Sequence, residues 1–520
     1  MDTPSDNPAA ALPDATPSVR RLGRSLWAAI TPKRTGFEKT PPLGLGMQVS
    51  YGFGSAAFGI AGMPLNAGIL MLYFNQVIGL EAVLVGTAIM VSVVVDASTD
   101  PLIGWISDRI RSPLGRRHTL MYLSALPAAF GFYIMWHAPT GLSPELMLAF
   151  VIVMLIFVNI AISLYEIPSL ALAPELAPDY TLRTRLLAFR WLFLIIGSAT
   201  TNFVLNNVFL RQDETNPLGQ LNRARYEDFG IVCAIVIFIA ILGSTAATHG
   251  RIKYLHAPPP RRVSFRSEWS QIRTALTHKP LLMLMFGGLM MGFAAGTGFG
   301  LITYFYFHFW ELKPQQVAYF TIAYIVGAFV ALWLGPKAGA VFGKKRAIIG
   351  LYALWLLTAI GPISLRLMGV MPENGSPFLL PILVTNLTLG LTLAISCHVI
   401  LGSSIADTVD NIAVKTGVRS EGLMFSTYQV LDKVANGGGA FVAGAVLTAI
   451  AFPVQALPGT VDPEVLRNMA FMQLAIVIVF NLASIAFFTQ YNLTRETHEQ
   501  NVAILAERQA RETAAALVGN

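Results

Sequence analysis

Apolar residues in this chain come in long blocks parted by short polar stretches, and a spanning helix needs roughly 20 largely apolar residues. A window of that width predicts about twelve helices in two sets of six. The first set covers about 47–75, 82–107, 118–137, 145–172, 186–209 and 228–248, and the second about 281–309, 315–341, 347–369, 377–404, 422–452 and 467–490. The pattern is that of an all-α membrane protein with six-helix bundles over 46–248 and 281–490. Between them, 249–280 is basic, polar and broken by proline, which predicts a cytoplasmic linker. Residues 1–45 are rich in Pro, Ser, Ala and Arg without a long apolar core, which predicts a cytoplasmic tail and no cleaved signal peptide. Residues 491–520 carry charge at helical spacing and predict a second cytoplasmic tail, solvated or lying at the interface.

Composition agrees, since 54% of the 520 residues are hydrophobic and 12% charged, with a mean hydropathy of +0.59. The formal charge of +7 does not signal nucleic acid, because the cations sit in short turns as the positive-inside rule requires. Arg109, Arg111, Arg116, Arg117, Arg183, Arg185, Lys344, Lys345, Arg346, Lys415 and Arg419 fall on one set of turns, with Arg211, Arg223 and Arg225 as exceptions on the other. An even number of spans then places both termini inside, in a multi-pass protein of the cell's inner membrane. Cys233 and Cys397 both lie in apolar stretches, so neither a disulfide nor a thiolate metal site is expected. No nucleophile elbow, P-loop or metal-spaced His/Cys cluster appears, which argues against an enzyme, a resident cofactor or an ATP-driven pump. The turn "GWISDRIRSPLGRRH" after the second span has a faint counterpart, "GPKAGAVFGKKR", after the eighth. Six plus six spans with such turns are the signature of the major-facilitator fold, which binds a small molecule near the midplane. The expected partners are that molecule and the lipid bilayer, for a monomer.

The charges inside the spans point to a function. Asp96 and Asp100 stand one turn apart on the second helix, where a carboxylate usually faces a bundle interior or wet cavity. Two such groups cannot both stay ionised without a counter-ion. Pro101 frees the carbonyl of Ala97, giving an oxygen-rich corner suited to a hard cation; alternatively both acids snorkel toward water and pair with arginines. In "SLYEIPSLALAPEL", Glu166 lies deep, Ser163 is one turn before it, and Pro168 frees the carbonyl of Leu164. Arg190 and Lys433 are deep cations that need partners, and Glu166 either contacts the substrate or is a purely structural partner for an arginine. Three acids against two bases leave about one positive charge to be supplied by Na⁺ or H⁺, leaving out Asp432, which the turn from Lys433 directs elsewhere. Asn159, His398, Gln429 and Asn436 can hydrogen-bond a polyhydroxyl ligand or simply join helices. The aromatic run at 303–312 is expected as an interfacial belt rather than a sugar platform. The glycine runs at 287–300 and 436–445 are expected to let helices pack closely.

Taken together, "SYGFGSAAFG" (50–59), "DASTDPLIGW" (96–105), "EIPSLALAPEL" with "RTR" and Arg190, "ADTVDNIAVKTGVRSEG" (406–422) and Lys433 are similar to motifs of the glycoside-pentoside-hexuronide:cation symporters, a family within the major facilitator superfamily. That resemblance implies a coupling-cation site at Asp96 and Asp100, which would be the metal ligands if the ion is Na⁺, assisted by Ser163. It implies Glu166 and Arg190 at the substrate, with Lys433 coupling the two. The chain departs from sugar-binding members at Ile60, where they place a carboxylate, and at Leu170, where they place a tryptophan. Thr99 replaces an asparagine that affects cation choice. The expected function is uptake of a sugar or glycoside driven by Na⁺ or H⁺. The alternatives are an amphiphile such as a lysolipid, whose vertebrate symporters share the Asp pair and the lysine, or a nutrient sensor that does not transport.

Overall fold

The computed structural model describes residues 43–65, 67–177, 180–214, 216–217, 219–255, 278–416 and 421–493, with parts of 496–507. The N-terminal tail to residue 42, most of the 249–280 linker, the Lys415 side chain, Arg419 and the chain beyond 507 lie outside the described residues. Among those residues the fold is all-α: eleven helices are long and apolar enough to cross a membrane, and a bent pair completes twelve.

The spans are α1 (Leu45–Phe53, Ser55–Gly62, Ala67–Met71 and Leu72–Ile78), α2 (Ala82–Arg109), α3 (His118–Trp136), α4 (Pro144–Leu176), α5 (Tyr180–Val204, continued by Leu205–Phe209) and α6 (Arg223–His249). Then follow α7 (Lys279–Tyr304, continued by Phe305–Phe309), α8 (Pro314–Val317 and Phe320–Phe342), α9 (Lys344–Leu367), α10 (Leu379–Thr416), α11 (Glu421–Ala449) and α12 (Pro463–Thr489). Pro101, Pro127, Pro168, Pro174, Pro336 and Pro362 lie inside helices that continue through them, as neighbouring helices in a membrane bundle allow. Starts are capped locally: the Ser143 hydroxyl accepts from Leu146 N–H ahead of Pro144, and Asp462 accepts from Glu464 N–H ahead of Pro463.

Two spans differ from the sequence expectation. The first is broken near Pro64, where the two parts bend by 40°, because proline cannot supply the N–H that would continue the helix. It ends in a wide π turn closed by Gly79 at φ 94°, a conformation that favours glycine. The tenth does not stop near 404 but carries the expected loop residues "ADTVDNIAVKT" as helix to Thr416. Its polar end is paired: Lys344 holds Asp407 at 2.6 Å, and His278 lies 3.0 Å from Asn411. Water and these partners sustain a polar helix beyond the apolar slab.

Helices α1 to α6 pack mainly on one another, as do α7 to α12; across the two sets α2 meets α11, and the third piece of α1 meets α7. Glycine makes the α2–α11 contact close. A Cβ added at Gly86 would stand 2.8 Å from the Ala440 carbonyl oxygen, and one at Gly444 would stand 2.4 Å from that of Ala82. Within the second set, a Cβ at Gly296 of α7 would stand 2.2 Å from the Asn436 carbonyl oxygen. Both glycine runs are thus helix-packing surfaces.

The two ends of the bundle differ. At the basic end, Arg117 pairs with Asp108 at 2.7 Å and Glu175 at 3.1 Å, and Arg116 pairs with Glu175 at 2.6 Å; these pairs and Lys344–Asp407 each join helices of one set. At the opposite end hydrogen bonds cross between the sets. Gln76, almost fully buried, donates to Asn75 and to the Pro453 carbonyl at 3.1 Å and accepts from Ala456 N–H at 2.9 Å. Tyr304 donates to Asn75 at 2.7 Å, and Thr303 donates to the Gly68 carbonyl at 3.0 Å. One buried apolar cluster runs from the first set into this end of the second, while a separate cluster fills the basic side of the second set. The aromatic run at 303–312 is part of that crossing and not a lipid-facing belt: Tyr304, Phe305, Phe307, His308, Phe309 and Trp310 are all buried. Packing against α1 and the 450–456 connection removed the lipid exposure that the sequence expectation assumed.

Candidate functional site

Midway along the bundle, Asp96 and Asp100 of α2 face Lys433 of α11. The Lys433 ammonium donates to Asp96 Oδ2 at 2.9 Å and to Asp100 Oδ2 at 2.5 Å, which ties the two sets together. One turn of α2 separates the two acids, so they sit on one face and a single ammonium reaches both. Ser163 of α4 donates to Asp96 Oδ1 at 3.3 Å. Asp100 Oδ1 is buried and has no partner. The side chains are 15% (Asp96), 25% (Asp100) and 41% (Lys433) exposed, so the acids are largely enclosed and the lysine is the most open of the three. Two carboxylates and a hydroxyl make a hard-oxygen set that can hold either a small cation or a proton. Thr99 turns back on its own helix, donating to the Asp96 carbonyl at 3.1 Å, and offers the pair no hydroxyl.

A second pair lies one turn along α4. Arg190 of α5 is 4% exposed and donates to Glu166 Oε1 and, at 2.5 Å, to Ser169 Oγ. Its guanidinium carbon lies 5.6 Å from the centre of the Tyr51 ring, within cation–π range. The Tyr51 hydroxyl donates to the Ser169 carbonyl at 2.7 Å, so α1, α4 and α5 lock the arginine together. Glu166 Oε2 is buried without a partner, the remaining acceptor of this pair. Ser163 and Glu166 are three residues apart, so one face of α4 connects the two acidic sites.

The structure therefore brings Asp96, Asp100, Ser163 and Lys433 into one cluster, and Glu166 and Arg190 into a neighbouring one. Ser169 and Tyr51 were missed from sequence; Ser169 sits one turn after Glu166, a spacing that could have flagged it. Asn436 donates to the carbonyl of Asp432 at 2.8 Å, a bond within its own helix. Ile60, which stands where sugar-binding members place a carboxylate, is 7% exposed and packed within the core. Leu170 is 51% exposed and follows Ser163 and Glu166 on the same stripe of α4.

A twelve-span bundle in two sets, joined by an ion pair at mid-depth, defines a membrane transporter with the major-facilitator fold. Residues 50–495 match the family of MFS/sugar transport proteins, and the chain belongs to it, within the glycoside–cation symporters of that superfamily. An uncharacterised symporter of Synechocystis is 25% identical over 86% of this chain and 94% of its own length. The isoprimeverose transporter of Lactiplantibacillus pentosus is 21% identical over 73% of this chain and 75% of its own. Among solved structures, the nucleoside transporter NupG superposes with a TM-score of 0.59 at 14% identity, covering 85% of this chain and 99% of that one.

Proposed function

We propose that this protein is a symporter of the inner membrane that couples entry of Na⁺ or H⁺ to uptake of a sugar or glycoside. The halves 46–248 and 281–490 rock about the central site, and both termini lie in the cytoplasm. The observation that carries the reading is Lys433, which reaches from one half to hold both acids of the other. Its ammonium supplies part of the countercharge that Asp96 and Asp100 require. A cation entering beside Ser163 takes over that task, frees the lysine and loosens the tie between halves, so ion binding and rocking become one event. Glu166 and Arg190 meet the substrate one turn away, where Glu166 Oε2 accepts a hydroxyl. Hydrogen bonds crossing at the 76–456 end, together with pairs that stay within each half at the basic end, fit a carrier shut on the outside. No covalent bond is made or broken in the cycle, and no resident cofactor takes part in it.

The test is uptake into proteoliposomes of labelled melibiose and isoprimeverose, with Na⁺ and pH gradients imposed separately. Accumulation that collapses with one gradient supports the proposal. Binding without accumulation would instead mean a sensor. The exposed Leu170 beside Glu166 favours a second substrate class, an amphiphile such as a lysolipid, and lysolipid accumulation in the same vesicles would select it.

A further inference from the structure

Helix α11 carries a carboxylate that the cluster above does not use. Asp432 precedes Lys433, so its side chain leaves the helix about 100° away from Asp96 and Asp100. Gly288 of α7 shows what lies there: a Cβ on it would stand 2.9 Å from Tyr428 Cε2 and 3.6 Å from Leu401 Cδ2, so α11 and α10 meet at this level. The two helices run antiparallel. One turn further from the basic end, Asp432 follows Tyr428 by four residues and His398 precedes Leu401 by three, which sets them opposite each other. The two interact electrostatically.

His398 Nδ1 lies 3.0 Å from the Ala394 carbonyl, an acceptor, so Nδ1 carries a hydrogen and Nε2 is the nitrogen left to bind or release a proton. Among the described residues, neither Nε2 nor the Asp432 carboxylate has a hydrogen-bond partner. Tyr428, on Asp432's own helix, and Cys397, next to His398 on α10, are the other titratable neighbours. On α7 the only charged residue is Lys279 at its start; on α2, Asp96 and Asp100 are engaged by Lys433; on α12, Glu464 and Arg467 lie at the far end. Asp407, two turns along α10, is held by Lys344. A carboxylate and an imidazole brought close by two packed helices at membrane depth have one small ligand in common.

We propose that Asp432 and His398 form a proton-binding pair in the second half, separate from the cation site at Asp96 and Asp100. The pair is defined by its own residues, and its role in coupling rests on the symport reading. It gives the carrier a titratable site on each side of the rocking interface.

The experiment is infrared difference spectroscopy of the purified protein in liposomes, without substrate, titrated with acid. The wild type is expected to show a protonated-carboxyl band that Asp432→Asn removes and Asp100→Asn retains. His398→Gln is expected to keep the band and move its midpoint by about one pH unit, and Asp432→Glu, which keeps the chemistry, guards against loss through misfolding. An unchanged spectrum in Asp432→Asn, or an unmoved midpoint in His398→Gln, overturns the pair. If the band behaves as stated while no variant or wild type accumulates solute, the symport reading fails and the proton site stands.

Discussion

Replacing Lys433 with glutamine removes the ammonium that holds Asp96 and Asp100 and keeps a side chain of similar length. If this lysine competes with the coupling ion for the two acids, the ion should bind more tightly in its absence. Each charge-assisted bond at such distances is worth about 1.5–3 kcal/mol. Lys433 is 41% exposed, so solvent screening reduces the sum, and about 2 kcal/mol for the pair is a fair net figure. That corresponds to about 30-fold tighter binding of the ion. The assay is the Na⁺ and pH dependence of thermal unfolding in detergent, read beside uptake into vesicles. We expect half-stabilisation at about 30-fold lower ion concentration and little net transport, because the halves lose their tie in the ion-free state. An unchanged ion affinity with normal uptake would refute the exchange of lysine for cation.

Three further outcomes rest on contacts described above. Arg190→Ala leaves Glu166 and Ser169 without the guanidinium, and removing one partner of a buried pair costs about 3 kcal/mol; the unfolding midpoint should fall, and Glu166→Gln in the same chain should restore part of it. Gln76→Leu loses the bonds to Asn75, Pro453 and Ala456, so a cysteine placed at the buried Thr303 should react with a water-soluble maleimide about tenfold faster, a shift of about 1–2 kcal/mol. Gly296→Ala forces a Cβ against the Asn436 carbonyl and should destabilise by about 1–3 kcal/mol, whereas Gly402→Ala, with nothing within 4 Å, should leave the melting temperature unchanged.

Much of this could be read from the chain, because membrane depth punishes charge and leaves the apolar blocks and the few deep ionisable residues plain to see. The number of spans, their grouping and the glycine-rich faces follow from that constraint. Which deep charges meet does not, since it depends on helix rotation and tilt. Lys433 could have faced Glu166 by composition alone, and only the packing of α2 on α11 aims it at Asp96 and Asp100. Helix ends were misjudged where polar residues found partners, as at Asp407 with Lys344, and where Pro64 broke a run that hydropathy reads as continuous. The 303–312 aromatics show a related limit: an aromatic cluster near a span's end looks the same whether lipid or another helix covers it.

The glycine-smoothed seam between α2 and α11 has a mechanical consequence. At Ala82 and Gly86 the two helices touch at backbone level, and further along the seam Gly437 leaves room for the Val93 side chain. Such a surface is a bearing: one cylinder can roll on the other without unlatching rotamers, so the barrier to turning is concentrated elsewhere, in the amide latch at one end and the ammonium clasp in the middle. Helix α2 extends about 24 Å beyond Val93, and over that lever a slight roll at the seam becomes a wide swing at the basic end.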